Sequence, residues 1–391
     1  MNPVFQTLGR RLRLGVVGGG PGSFIGPVHR RAATFDDRFE VVAGVLSSDP
    51  GRSQAAAADL GIAADRAYSD WRALLDGERA RDDGIDAVAI MTPNHLHYPV
   101  ADRALDMGYD VICDKPLTLT AAEAVALARK VRDTGLVFVV TFNYSQYPLV
   151  RQARAMVGAG ELGDIRQIHL TYVQGHNATL VEADGKGSTW RFDADKAGAS
   201  LILGDIGSHA HHLGAYVSGL ELDAVMADVG ASVPGRTADD YAAILLRWSN
   251  GARGTLWVTN AAAGGEHGLG FRIFGAKGGL EWQQEQPNTM LHRRLEGFPE
   301  LVTRRLHGAL HPSAERATRT EIGHPEGYQE AFANLYADAA EAILARHTGR
   351  SANPLALDFP TVLDGARGMR FIEAALESSR RKCWVDCRLA F

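Results

Sequence analysis

The first 143 residues alternate short, unbroken apolar runs with longer stretches of helical spacing. Leu12 to Val17, Phe39 to Leu46, Ala87 to Met91, Asp110 to Cys113 and Val137 to Thr141 read as buried strands. Ser53 to Leu60, Asp70 to Leu75, Pro99 to Met107 and Ala121 to Thr134 read as helices, the third closed by Gly108 as a C-cap. Strand and helix in strict alternation predict a parallel, doubly wound sheet over residues 1–143.

Beyond Phe142-Asn143-Tyr144 the pattern changes. A helix, Pro148 to Ala159, and a strand, Ile165 to Val173, lead to a polar stretch, Thr179 to Ser188. After a predicted helix from Asp205 to His212 come strand patterns at Ala224 to Val229, Asp240 to Trp248, Ala252 to Asn260, Phe271 to Gly275 and Gly279 to Trp282. Ser249-Asn250-Gly251 is a hairpin turn. Successive hairpins without intervening helices predict an antiparallel sheet in a second domain over 144–391. One face of that sheet would cover the active site and the other would pack on another subunit, so a homodimer or homotetramer is expected. Gln283 to Thr320 reads as irregular and rich in arginine and histidine, either an ordered excursion or an arm reaching a neighbour. An amphipathic helix, Gln329 to Arg346, and a last helix from about Pro360 to Arg380 complete the α/β chain.

Composition narrows the function classes. The 391 residues carry a formal net charge of −5, with 46% hydrophobic and 22% charged positions, as in a soluble globular enzyme. That balance argues against a nucleic-acid partner. No apolar run approaches the roughly 18 residues needed to span a bilayer. Arg10-Arg11 is followed by a strand and a glycine turn rather than an export signal, so a cytoplasmic location is expected. Three cysteines form no disulfide framework, and Cys383-x-x-x-Cys387 lacks a second cluster to complete a zinc site.

The chemistry is concentrated at strand ends. The first strand runs into Gly18-Gly19-Gly20-Pro21-Gly22-Ser23-Phe24-Ile25-Gly26, three residues longer than GxGxxG. A glycine turn opening a helix lets backbone amides approach a pyrophosphate, making Gly18, Gly20, Ser23, Phe24 and Ile25 candidates for a dinucleotide. Ser47 stands where an acid would bind the adenosine ribose, with Asp49 and Arg52 nearby. NAD is the expected cofactor and NADP stays open. Thr92, Pro93, Asn94 and His97 form a polar tip after the third strand, and Asp114-Lys115-Pro116 another after the fourth. Asn143 closes the cofactor set. In the second half Asp205 and His209 are four apart, an acid and a base on one helical face. Tyr144, His176, Trp190 and Arg191 are candidate substrate residues: Trp190 to stack on a sugar face, Arg191 to hold an oxygen-rich or anionic group. Asp239 to Tyr241 and Gly264 to His267 lie at strand ends nearby. The spacing of His209, His211 and His212 does not suit a metal helix, so no metal is expected.

Taken together, Gly26-x-x-His29, Thr92-Pro93-Asn94-x-x-His97, Asp114-Lys115-Pro116 and Asp205-x-Gly207-x-His209 resemble the glucose–fructose oxidoreductase and inositol dehydrogenase (Gfo/Idh/MocA) family. The resemblance spans nearly the whole chain. It implies a Rossmann domain followed by an α+β domain with a large, open, mostly antiparallel sheet. Lys115 would touch substrate and nicotinamide ribose, Asp205 would hold substrate hydroxyls, and His209 would be the general base. The chain departs from the family at Asp114, usually glutamate, and at His212, often aspartate.

The expected activity is movement of hydride between NAD(P) and a ring secondary alcohol of a sugar, glycoside or inositol. A second reading uses the same parts for NAD-dependent glycoside hydrolysis through transient oxidation, elimination, hydration and re-reduction. A third is a sensor that binds sugar and cofactor without turnover.

Overall fold

A computed structural model describes residues 2–182, 189–304 and 310–391. The chain divides into two compact units. The first comprises Met1–Thr118, Ala122–Asn143 and Gln329–Gly365, and the second Leu119–Ala121, Tyr144–Tyr328 and Ala366–Phe391. The change of unit at residues 143/144 falls where the apolar pattern changes. The return of Gln329–Gly365 to the first unit has no counterpart in a linear division of the chain.

In the first unit five parallel strands, β1 (Leu12–Gly18), β2 (Phe39–Val45), β3 (Ala87–Met91), β4 (Asp110–Cys113) and β5 (Phe138–Val140), lie in the order β2-β1-β3-β4-β5. Strand order reverses beside β1, so the crevice past the carboxyl ends of β1 and β3 is a topological switch point, where ligands of such sheets bind. The strands are unbroken apolar runs because both faces are buried: every residue of β3 and β4 is inaccessible to solvent or nearly so. The returning helix, Tyr328–Thr348, is buried almost all round from Ala331 to Ala340. Its Arg346 pairs with the buried Asp110 at the start of β4, with Nη2 to Oδ2 at 2.7 Å.

The second unit holds nine strands: β6 (Ile165–Val173), β7 (Leu222–Gly230), β8 (Tyr241–Trp248), β9 (Arg253–Thr259), β10 (Gly268–Gly275), β11 (Gly278–Gln283), β12 (Thr289–Arg294), β13 (Glu300–Thr303) and β14 (Val385–Asp386). Their order is β13-β12-β11-β10-β6-β9-β8-β7-β14, antiparallel throughout except for the parallel pair β6 and β9. The expected mixed, mostly antiparallel sheet is present. Ile168, Leu170 and Tyr172 of β6 and Leu256 and Val258 of β9 point to one buried face, against which the helix Ser208–Ser218 packs.

Two expectations change. The stretch Gln283 to Thr320 is not irregular: it contributes β12, β13 and the helix Pro312–Ala317, although 305–309 lie outside the described residues. Of the polar stretch Thr179 to Ser188, residues 183–188 also lie outside them. The helix carrying Asp205 begins earlier than expected, at residue 201, and its Leu203–Gly207 turn is π-helical before it runs on as Ser208–Ser218. π-turns are rare and concentrate at functional sites. Among the described residues no helix is long and apolar enough to cross a membrane.

Candidate active site

In the first unit candidate residues gather at the carboxyl ends of β1, β3 and β4. The chain leaves β1 through Gly18-Gly19-Gly20 and enters the helix Ile25–Phe35. A Cβ at Gly20 would stand 1.8 Å from the Leu46 carbonyl oxygen, and one at Gly26 would stand 1.9 Å from the Gly19 carbonyl oxygen. Only glycine allows these approaches, so the long turn is closed over backbone. Ser23 Oγ accepts from the Gly26 amide at 3.1 Å and forms the turn's inner hydrogen bond. Phe24 is 71% exposed at the head of the helix. At the end of β2, Asp49 Oδ1 accepts from the Arg52 amide at 2.7 Å. Asp49 is therefore the N-cap of the helix Pro50–Asp59, and Ser47 remains the polar residue at the strand end, with the exposed Arg52 beyond it.

The polar tips after β3 and β4 are fastened to each other by His97. Its Nδ1 lies 2.8 Å from the Pro116 carbonyl oxygen and its Nε2 3.0 Å from that of Thr92. With both ring nitrogens engaged by backbone and the ring 1% exposed, His97 has no nitrogen to offer a cofactor. Its part is to join the Thr92 and Lys115-Pro116 turns, a correction to its expected role. Burial lowers its pKa, against the pull of Asp114 and the two carbonyls. The Lys115–Pro116 bond is cis.

Asp114 sits in a network. The Thr141 hydroxyl donates to Oδ1 at 2.6 Å, the Lys115 amide donates to it at 3.1 Å, and His29 Nε2 lies 3.9 Å away. His29 Nδ1 in turn meets the Tyr336 hydroxyl at 2.8 Å, a residue of the returning helix. Burial alone would raise the Asp114 pKa. His29, Lys115 and Thr141 outweigh it and hold the carboxyl below the usual range. Thr92 Oγ1 and Asn143 Nδ2 are buried without a hydrogen-bond partner, and together with the glycine turn they fit a polar dinucleotide.

In the second unit candidate residues gather on the π-turn and the helix that continues it. Asp205 is 23% exposed and His209 is buried. Tyr144 stands edge-on to the His209 ring with centroids 4.8 Å apart, and the Tyr144 and Tyr172 hydroxyls are 2.7 Å apart. Burial pushes Tyr144 up to about 12, the Tyr172 hydroxyl opposing and Asp205 adding to the rise. Arg191 Nε lies 3.8 Å from Asp205 Oδ1, and its guanidinium lies 4.9 Å from the Trp190 ring centroid. Arg191 is thus paired with the very carboxylate expected to hold substrate. His176 reaches solvent. Partial burial lowers its pKa against the field of Asp205. His211 stacks on Phe371 and His212 on Tyr216, so neither turns with His209 toward a common point. Among the described residues no three His, Cys, Asp or Glu side chains are placed to hold a metal ion.

Sequence reasoning missed Tyr172 and Tyr336. Tyr172 carries a signal, being the next inward position after Ile168 and Leu170 in the alternation of β6. Tyr336 carries none, because its helix has no polar face over that stretch.

Two family descriptions match the chain: an oxidoreductase family with an NAD-binding Rossmann fold over residues 12–142, and a GFO/IDH/MocA C-terminal domain over 150–281. An uncharacterized oxidoreductase of Bacillus subtilis (strain 168), YfiI, is 33% identical across 97% of this chain and 98% of its own. The chain belongs to the Gfo/Idh/MocA oxidoreductase family. As a Gfo/Idh/MocA member it has an NAD-binding Rossmann unit. An inositol dehydrogenase homolog from Azotobacter vinelandii, crystallised with NAD+, superposes with a TM-score of 0.91 at 36% identity, covering 96% of this chain and 97% of that one. Levoglucosan dehydrogenase of Pseudarthrobacter phenanthrenivorans is 29% identical over 96% of this chain and 98% of its own. The family to which this Gfo/Idh/MocA chain belongs thus includes sugar and inositol dehydrogenases.

Proposed function

We propose that the protein oxidises a ring secondary alcohol of a sugar, glycoside or inositol, with NAD as acceptor. The carrying observation is the placement of Asp205 on the π-turn and of His209 in the first turn of the helix that continues it, with Tyr144 and Tyr172 packed on the imidazole. Similarity to an inositol dehydrogenase homolog and to a levoglucosan dehydrogenase supports the substrate class.

In this reading His209 takes the hydroxyl proton. An imidazole suits the role because its ordinary pKa, roughly 6.5, is near working pH. Tyr144 keeps its own proton, so it braces the imidazole and does not compete as a base. Asp205 accepts from substrate hydroxyls, and Arg191 balances its charge while contributing donors of its own. Lys115 stabilises the alkoxide as it forms and contacts the nicotinamide ribose. Gly18, Gly20, Ser23, Phe24 and Ile25 hold the pyrophosphate, Ser47 and Arg52 face the adenosine ribose, and Thr92, Pro93, Asn94 and Asn143 line the remainder. NAD, when bound, supplies a two-electron acceptor.

The sheet face opposite the helices exposes Met226, Leu245 and Trp257 on adjacent strands, with Met226 opposite Leu245 in register. We propose that a second copy of the chain covers this face. Sedimentation of the wild type against Leu245→Arg tests it, with dissociation expected in the variant.

The deciding assay incubates the protein with NAD+ and a panel containing myo-inositol, levoglucosan and simple glycosides. Accumulating NADH is the expected result. Free sugar released without NADH would replace net oxidation by redox-neutral hydrolysis. Binding with neither product would leave a sensor.

A further inference from the structure

One buried arginine fastens the segments that bear the candidate recognition residues. The Arg236 side chain is 0% exposed, and each of its five N–H groups donates. Nε and Nη2 donate to the two oxygens of Glu182 at 2.9 and 3.0 Å. Nη1 donates to the Asn177 carbonyl at 2.8 Å and to Asp240 Oδ2 at 3.0 Å, and Nη2 to the Thr179 carbonyl at 2.6 Å. The Phe192 ring centroid lies 5.7 Å from the guanidinium carbon. These anchors bracket the recognition side chains: His176 immediately precedes Asn177, while Trp190 and Arg191 immediately precede Phe192.

The base of this arrangement is a pair of adjacent carboxylates. Asp240 accepts from Arg236 and also from the Ser232 amide and hydroxyl, both at 2.7 Å, and the Val233 amide at 3.1 Å. Asp239 accepts from the Ser200 hydroxyl and from the amides of Leu201 at 2.6 Å and Ile202 at 3.2 Å. The latter amides head the helical stretch that carries Asp205 and His209. Consecutive residues therefore hold the start of the catalytic helix and, through Arg236, the recognition segment. Burying a guanidinium is costly unless every donor is matched, and a planar fork matches carbonyls and carboxylates at fixed angles in a way an ammonium cannot.

We propose that Arg236, seated on Asp240, is a positioning residue that sets His176, Trp190 and Arg191 against Asp205, and so governs affinity for the polyol and not the chemical step. The proposal rests on the ring-alcohol reading of the same site.

The test uses the full chain. Arg236→Lys keeps the charge and removes the fork, and Asp240→Asn keeps the shape and removes the charge. For whichever of myo-inositol and levoglucosan the wild type oxidises, Arg236→Lys is expected to raise KM about tenfold or more while kcat stays within about threefold. NADH affinity stays unchanged, and amide hydrogen exchange quickens at 176–182 but not in the Rossmann unit. Asp240→Asn moves the same quantities less. An unchanged KM, a loss confined to kcat, or unaltered exchange at 176–182 in a folded variant overturns the proposal. Failure of both variants to fold also overturns it, since Arg236 would then be an inseparable part of the core. His209→Ala separates the two levels: if it keeps turnover, the ring-alcohol reading fails. A wild type that oxidises neither polyol also removes that reading, and the exchange measurement then decides the proposal alone.

Discussion

The Tyr144 ring meets the His209 imidazole edge to face, with centroids 4.8 Å apart and planes at 79°. Its hydroxyl is bound to that of Tyr172, and burial keeps it protonated up to about pH 12. Ring and hydroxyl should therefore separate on mutation. Tyr144→Phe keeps the ring contact, and its turnover should stay within about tenfold of wild type, the loss of one hydrogen bond being worth about 1 kcal/mol. The pH–rate profile should keep its shape. His209→Ala should lower turnover by about 10²–10⁴ with NADH binding intact, as loss of a general base does. Loss of the pH dependence in Tyr144→Phe would instead make the phenol the base.

His97 predicts a stability effect. His97→Ala removes the ring that lies between the carbonyls of Thr92 and Pro116; the neutral imidazole donates to one of them, and a buried acceptor left unmatched costs about 1–3 kcal/mol. The melting temperature should fall, with a weaker NADH complex following from the loosened turns. A variant that loses NADH affinity at unchanged melting temperature would return His97 to direct cofactor contact.

Asp114 predicts an acid limb. Its folded pKa lies below the unfolded value, so as pH falls through the unfolded value, near 4, the unfolded state binds the proton first. The stability contributed by Asp114 is fully present above that value and is lost as pH falls through its lower folded value. Chemical denaturation at a series of pH values should show a shallower acid slope for Asp114→Asn. An identical slope would mean that the network does not favour the carboxylate.

Ser47 predicts weak discrimination between cofactors. No acid stands at the end of β2, since Asp49 is committed as a cap. Ser47→Asp should raise the ratio of kcat/KM with NAD+ to that with NADP+ by about tenfold or more, because a carboxylate binds the ribose hydroxyls and repels a 2′-phosphate. An unmoved ratio would show that this position does not face the ribose.

How much was legible depends on the range of the interaction that made each element. β3, β4 and β6 coincide with apolar runs read directly from the chain, because burial on two faces or strict alternation leaves a local pattern. β12 and β13 were illegible. They form the outer end of the sheet, where Leu301 and three arginine or glutamate side chains face solvent and the alternation is diluted. The unit to which Tyr328–Thr348 contributes was equally hidden: the chain reads there as an amphipathic helix with a solvent face, whereas Ala331 to Ala340 are buried all round.

By itself the sequence determined which residues stand as candidates for the chemistry: the glycine turn after β1, Lys115 after β4, and Asp205 and His209 four residues apart. These are short-range facts, set by strand ends and helical spacing. Tertiary structure alone decided how those residues are held and charged. Arg191 on Asp205, His97 between two carbonyls, Asp239 on the head of the helical stretch that carries Asp205 and His209, and Arg236 on its five acceptors mostly join residues far apart in the chain. Their partners follow from strand order and burial, which no local periodicity encodes, and a buried charge takes whichever partner the fold brings within reach.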